Sequence, residues 1–237
     1  MKRIALVLLA ASAFAQTVAF PGPGMPASGG GIALVTHVAG PVTAGSGGGV
    51  SAAINTTGAN FLVLNASFYS SGCTVTVSDS NSNTWAALTG YSNGASTGRF
   101  YYAVNPKVGS GHTFTVSGSS CYPSFEVAAF SGMKTSGVFD SGTDSGANGN
   151  SATIQPGSVT PPSGYQLVMT GVSIDSGSVS SVNSSFTMTD SLAYSGGNNF
   201  GSGMAYLVQH PGAAVDPTWT ISGYNHTAVN IAAFAGM

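Results

Sequence analysis

The chain has 237 residues, room for one large or two small domains. Only 5% of them are charged, against about 25% in an ordinary soluble domain, while 43% are hydrophobic, which excludes a disordered chain. Five Lys and Arg residues are too few and too scattered to neutralise a nucleic-acid backbone, so no nucleic-acid partner is expected.

Lys2 and Arg3 precede the apolar run Ile4 to Ala15, and Ala13-Phe14-Ala15 fits a small-x-small cleavage site. Residues 1–15 therefore read as a secretory signal peptide cut before Gln16, with an extracellular or cell-surface destination. The run is too short to span a bilayer, and no membrane span is expected after cleavage. The remaining chain keeps only Arg99, Lys107 and Lys134 against seven acids, a net charge of −4. Ser, Thr, Asn and Gly must then carry the solvated surface, and self-association meets little electrostatic resistance. Residues 16–30, with Pro21, Pro23 and Pro26, read as a Pro/Gly-rich leader.

From there the dominant period is two residues. Cys73-Thr74-Val75-Thr76-Val77 alternates, as do Thr113 to Val116, Thr187 with its neighbours, and Thr218 to Ile221. Strands are expected near 32–38, 49–55, 60–69, 73–79, 84–88, 99–104, 112–117 and 124–131. They resume near 137–140, 151–159, 165–174, 184–189, 203–209, 216–222 and 227–235. Clusters of Gly, Ser, Asn and Pro separate them, and no sustained helical period follows the signal. Cys73 and Cys121 are the only cysteines, and a disulfide between them is the simplest expectation for an exported chain, with two free buried thiols as the alternative.

The second half repeats the first at an offset near 104. Tyr102-Ala103-Val104 returns as Tyr206-Leu207-Val208, and Val127-Ala128-Ala129-Phe130 as Ile231-Ala232-Ala233-Phe234. The segment Phe61 to Leu64 aligns with Gln166 to Met169, Trp85 with Phe186, and Phe114 with Trp219. The expected fold is all-β: two tandem antiparallel β-sandwich units, jelly-roll or immunoglobulin-like, arising from an internal duplication and spanning 31–133 and 134–237. Whether they form two packed sandwiches or one merged body is left open; two packed units are favoured.

Few residues point to chemistry. Asp79, Asn81 and Asn83 resemble the start of a calcium loop, but one carboxylate without the sixth-position Gly or a distant Glu gives weak affinity, and a turn built on Asx hydrogen bonds has the same composition. Asp140, Asp144, Asn148 and Asn150 form a second oxygen-rich stretch. Gly94-Ala95-Ser96-Thr97-Gly98 matches a nucleophile-elbow pattern but has no helix to follow it. Glu126, the only Glu, sits on a strand and maps to Asn230. No cofactor and no catalytic set is expected. The aromatic residues are more informative: Tyr91 and Tyr194 recur in Gly/Ser/Asn loops, and Tyr122 and Tyr224 each precede the last strand of a half. These four are the candidate binding residues, for a glycan or a protein surface, with capping of the sandwich ends as the structural alternative.

The segments Val77 to Trp85, Arg99-Phe100-Tyr101-Tyr102-Ala103, Thr113 to Val116 and Val127 to Gly132 resemble a loosely defined group of bacterial secreted β-sandwich proteins with a DSxGNTW…YYA…TVT…EYSG pattern and a related second half. Ser82 stands where that pattern favours Gly, and Ala129 where it often has Glu. The resemblance implies export and surface or matrix association, and no catalytic residues. The expected function is that of a secreted non-enzymatic surface or matrix protein working by adhesion or assembly contacts. A carbohydrate-binding module and a secreted hydrolase are the alternatives.

Overall fold

A computed structural model describes residues 31–237. The expected signal peptide (1–15) and leader (16–30) lie outside the described residues. The Thr-, Val- and Phe-rich runs become strands, and no helix occurs among the described residues. The first half holds β1 (Ala33–Gly40), β2 (Gly48–Val50), β3 (Phe61–Tyr69), β4 (Thr76–Asp79), β5 (Ala86–Asn93), β6 (Ser96–Val104), β7 (Phe114–Ser117) and β8 (Ser124–Ser131). The second holds β9 (Phe139–Gly149), β10 (Thr153–Ile154), β11 (Gln166–Ile174), β12 (Ser178–Val182), β13 (Thr187–Leu192), β14 (Gly201–Gln209), β15 (Trp219–Ser222) and β16 (Thr227–Ala235).

In the first half a five-stranded sheet, β1-β8-β3-β6-β5, faces a three-stranded one, β2-β7-β4. The second half has the same order: β9-β16-β11-β14-β13 over β10-β15-β12. The ladders are antiparallel throughout. Pairing first with eighth, second with seventh and third with sixth is the jelly-roll arrangement rather than the immunoglobulin one. The fifth strand leaves the smaller sheet and pairs with the sixth.

The two five-stranded sheets then pack face to face, giving four layers. Their central strands are consequently buried on both sides. In β3, Leu62, Leu64, Ala66 and Phe68 fill the first sandwich core, opposite Phe114 and Val116. Phe61 and Val63 point the other way, into a shared core with Leu167, Met169, Met204 and Phe234 of the second half. Val168, Val172, Trp219 and Ile231 make the third core. A strand wetted on one face alternates; β3 and β11 instead read as near-continuous apolar runs because neither face meets water. The halves are therefore two sandwiches joined through a core of their own.

The register of that core revises the internal alignment. Phe61 pairs with Phe130, and Leu167 with Phe234. Phe61 thus stands where Leu167 stands, one residue away from the alignment of Phe61 with Gln166. A one-residue slip would turn every side chain to the wrong face. Two strands are longer or more numerous than expected. The oxygen-rich stretch after Asp140 is not a loop but most of β9, an edge strand paired with β16. Its Gly, Ser, Asp and Asn composition reads as turn because its hold comes from its neighbours. At Gly146 the ring of Tyr91 lies flat on the backbone, in space that any Cβ would occupy. The strand β12 also escaped expectation, since Ser178 to Val182 offers only two valines.

Cys73 and Cys121 form the expected disulfide, with Cα atoms 5.5 Å apart. Loop entropy assigns such a closure about 2–4 kcal/mol.

Candidate functional site

The seam between the halves opens at one end into an aromatic cleft of about 260 Å³. Tyr69 and Tyr122 line it from the first half, and Tyr194, Asn199 and Phe200 from the second. Tyr69 ends β3, where the strand runs out of the core. Its ring stacks on Phe200 with centroids 6.1 Å apart, and Tyr194 meets the same Phe200 edge-on at 5.9 Å. Phe200 is held by the first half across the seam: its N–H donates to Tyr122 O (2.9 Å), and its carbonyl accepts from Ser124 Oγ (2.7 Å).

The walls are fixed. The backbone of Cys121 accepts from Tyr69 N–H at 2.9 Å, so the disulfide pins the segment that carries Tyr122 to the strand end that carries Tyr69. The Tyr194 loop is tied by paired backbone bonds between Ser195 and Asn199, and by Asn199 Nδ2 to Ala193 O (3.0 Å). Pre-ordered aromatic walls give up little entropy on binding. The cleft has no double among the described residues. Tyr122 stands two residues before Ser124, which faces Ser67; His226 stands two before Ala228, which faces Ser173. Both have positive φ. In the second half the place of Tyr122 thus belongs to His226, which donates from Nδ1 to Asp175 Oδ2 at 2.7 Å. Aromatic contact on one side of the seam is replaced by a His–Asp hydrogen bond on the other.

The structure brings Tyr122 and Tyr194 together and keeps Tyr91 and Tyr224 apart from them. Tyr91 is on β5, not in a loop. It lies between the two large sheets with its hydroxyl 3.4 Å from Asp144 Oδ1, and burial together with that carboxylate pushes its pKa up to about 12. Asn93 and Asn148 tie the same edges: Asn93 Nδ2 donates to Asn150 Oδ1 at 2.8 Å and Asn148 Nδ2 to Ser92 O at 3.0 Å. The oxygens of Asp144 and Asn150 therefore serve the seam. Tyr224 is 49% exposed in the loop before β16. Tyr69, Asn199 and Phe200 are additions the sequence does not single out. The only signal for Tyr69 is an aromatic residue at a strand end close before Cys73.

The Asp79 side chain is fully enclosed. Its Oδ1 accepts from Asn81 N (2.9 Å), Asn83 Nδ2 (3.1 Å) and His112 Nε2 (3.1 Å), and its Oδ2 from Trp85 Nε1 (2.7 Å). Both oxygens are engaged by N–H donors, and Asn81 and Asn83 direct their amides to Asp79 and Lys107 O. This is the geometry of an Asx-stabilised turn. His112 Nδ1 lies 2.9 Å from Thr56 Oγ1, which completes an Asp-His-Thr chain with the connectivity of a catalytic triad. Asp79 and His112 have no exposed side-chain surface and Thr56 is wholly buried, so a substrate has no path to it.

Glu126 lies at the centre of the seam, fully buried. It accepts from Ser202 Oγ, and from Asn65 Nδ2 at 3.1 Å; Asn65 Nδ2 also reaches Gly203 O at 3.2 Å. Burial, with a smaller push from Asp190, raises its pKa to about 8, against the pull of those two hydrogen bonds. Asn230, its counterpart, has no hydrogen-bond partner for either side-chain atom, and Asn65 Oδ1 has none. Ser96 of the elbow-like pattern follows a hairpin turn, buried, donating to His226 O. No His, Cys, Asp or Glu group able to hold a metal ion occurs among the described residues. Comparison of the chain with protein-family models, curated proteins and solved structures finds no match.

Proposed function

We propose that the chain is a secreted, non-enzymatic surface or matrix protein of bacterial type, acting by adhesion or assembly contacts, and that the seam cleft is its contact site. The observation that carries this reading is the convergence of Tyr69, Tyr122, Tyr194 and Phe200 from two halves onto one opening. Rigid aromatic side chains at a fixed opening supply large contact area at low entropic cost. The disulfide supports export. The depth of the Asp79–His112–Thr56 chain and of Glu126 supports a non-enzymatic role, since neither meets solvent. The resemblance to bacterial secreted β-sandwich proteins points the same way.

A second reading, a carbohydrate-binding module, is favoured by the cleft itself. Three tyrosines offer ring faces for the C–H side of a sugar and hydroxyls for its polar rim, with Asn199 beside them. Glycan-array and whole-cell binding by the mature chain tests both. Retention on cells or on a glycan, weakened by Tyr194→Ala at least about ten-fold, is the expected result. A monomer that binds no cell, polymer or glycan would contradict both readings.

A further inference from the structure

A second opening, of about 230 Å³, lies away from the seam cleft at the mouth of the first sandwich. It contains Arg99, the only arginine among residues 31–237. The stem of Arg99 passes over Gly90, and its Nε donates to Leu88 O at 2.7 Å. Its guanidinium sits 5.7 Å from the centre of the Tyr101 ring. These three contacts fix the head group: its Nε–H is taken by Leu88 O, and the Tyr101 hydroxyl bonds to the guanidinium as well, which leaves part of the fork for a ligand. No carboxylate pairs with it among the described residues, where the close carboxylate contacts are all made by histidines. An arginine held in place with no carboxylate partner, in a chain this poor in cations, is suited to receive a carboxylate from outside. Thr74 and Thr97 line the same opening, and neither hydroxyl makes a hydrogen bond among the described residues.

The second half fills the same place differently. Val104 and Val208 face Phe61 and Leu167 in the ladders, so Gly203 occupies the position of Arg99. Val179, Val172 and Trp219 close to 3.2–3.5 Å of where a side chain would begin, and the sandwich mouth is packed with hydrocarbon. The first half gives up that packing for a charged side chain and a polar cavity. The opening is below the roughly 300 Å³ at which pockets for drug-sized ligands begin, so it suits one compact unit.

We propose that this opening binds a single carboxylate-bearing sugar unit, a hexuronate, with its carboxylate on the Arg99 guanidinium and its ring hydroxyls on Thr97 and Thr74. The site is separate from the seam cleft and does not depend on it. Methyl glucuronide titrated into the folded wild-type chain, followed by NMR, is expected to shift the Arg99 Nε–H and the Thr97 and Tyr101 amide signals saturably. The affinity is expected to fall at least about ten-fold between about 20 mM and about 200 mM salt or in Arg99→Gln. Arg99→Lys keeps the charge and the stem over Gly90, and is expected to lose less. Tyr194→Ala is expected to leave this binding unchanged. Absence of saturable shifts in the wild-type chain, equal binding of methyl glucoside, or equal binding of acetate would each overturn the proposal, and the wild-type titration decides it even if a variant fails to fold.

Discussion

Replacing Glu126 by Gln is expected to remove a large pH dependence of stability. In the native chain Glu126 is neutral up to about pH 8, because no solvent reaches its carboxyl. In the unfolded chain it ionises at the ordinary value near 4.5. Between these values the native state holds one more proton than the unfolded state, so this group lowers stability as pH rises. Its contribution is fully present below pH 4.5, declines through the window to about pH 8, and is constant above it. At about 1.4 kcal/mol per pH unit the change across that window is roughly 5 kcal/mol. Glu126→Gln keeps the shape and the acceptor for Ser202 but cannot ionise. The difference in unfolding free energy between wild type and variant cancels every other titrating group. It is expected to grow in the variant's favour from pH 5 to pH 8 by several kcal/mol; a difference that stays flat would mean that water reaches Glu126.

Phe61→Ala should unsettle the half of the molecule it does not belong to. Phe61 is fully buried and meets Phe234 with ring centroids 4.9 Å apart, across the seam. A Phe-to-Ala change in such a core costs about 3–5 kcal/mol. The chain has one tryptophan in each half, Trp85 and Trp219. With Trp85→Phe as background, the fluorescence of Trp219 reports the second half alone. Phe61→Ala is expected to lower the denaturant midpoint seen by Trp219 as much as the midpoint seen by Trp85 in a Trp219→Phe background. If the Trp219 midpoint does not move, the halves fold independently and the shared core contributes little.

How far this was legible from the chain differs element by element. The all-β class and most strands follow from alternation in runs such as Val75 to Val77 and Phe114 to Val116. The four-layer arrangement was partly legible too. The unbroken Phe61 to Leu64 and Leu167 to Met169 runs are the mark of strands covered on both faces. Strand β9 was not, because an edge strand of Gly, Ser, Asp and Asn carries no period and is held by β16 on one side and Tyr91 on the other. Of the candidate site, Tyr122 and Tyr194 were visible as aromatic residues in polar loops. Tyr69 and Phe200 look like ordinary strand ends, and only the packing of one half on the other turns them into walls of a cleft. Arg99 was hidden for a related reason: within Arg99-Phe100-Tyr101 it reads as one more exposed strand position, and its want of a carboxylate partner is a property of its surroundings.

The seam cleft is tested most directly by a double-mutant cycle on Tyr122 and Tyr194, against whichever cell surface or glycan the mature chain retains. The two residues come from different halves and share one opening with Phe200 between their attachments. Each Ala variant is expected to weaken binding by about ten-fold or more, and the pair to be non-additive by about 0.5–3 kcal/mol, while Tyr224→Ala leaves the affinity unchanged. Full affinity in both single variants, with loss in Tyr224→Ala, would contradict the cleft as the contact site.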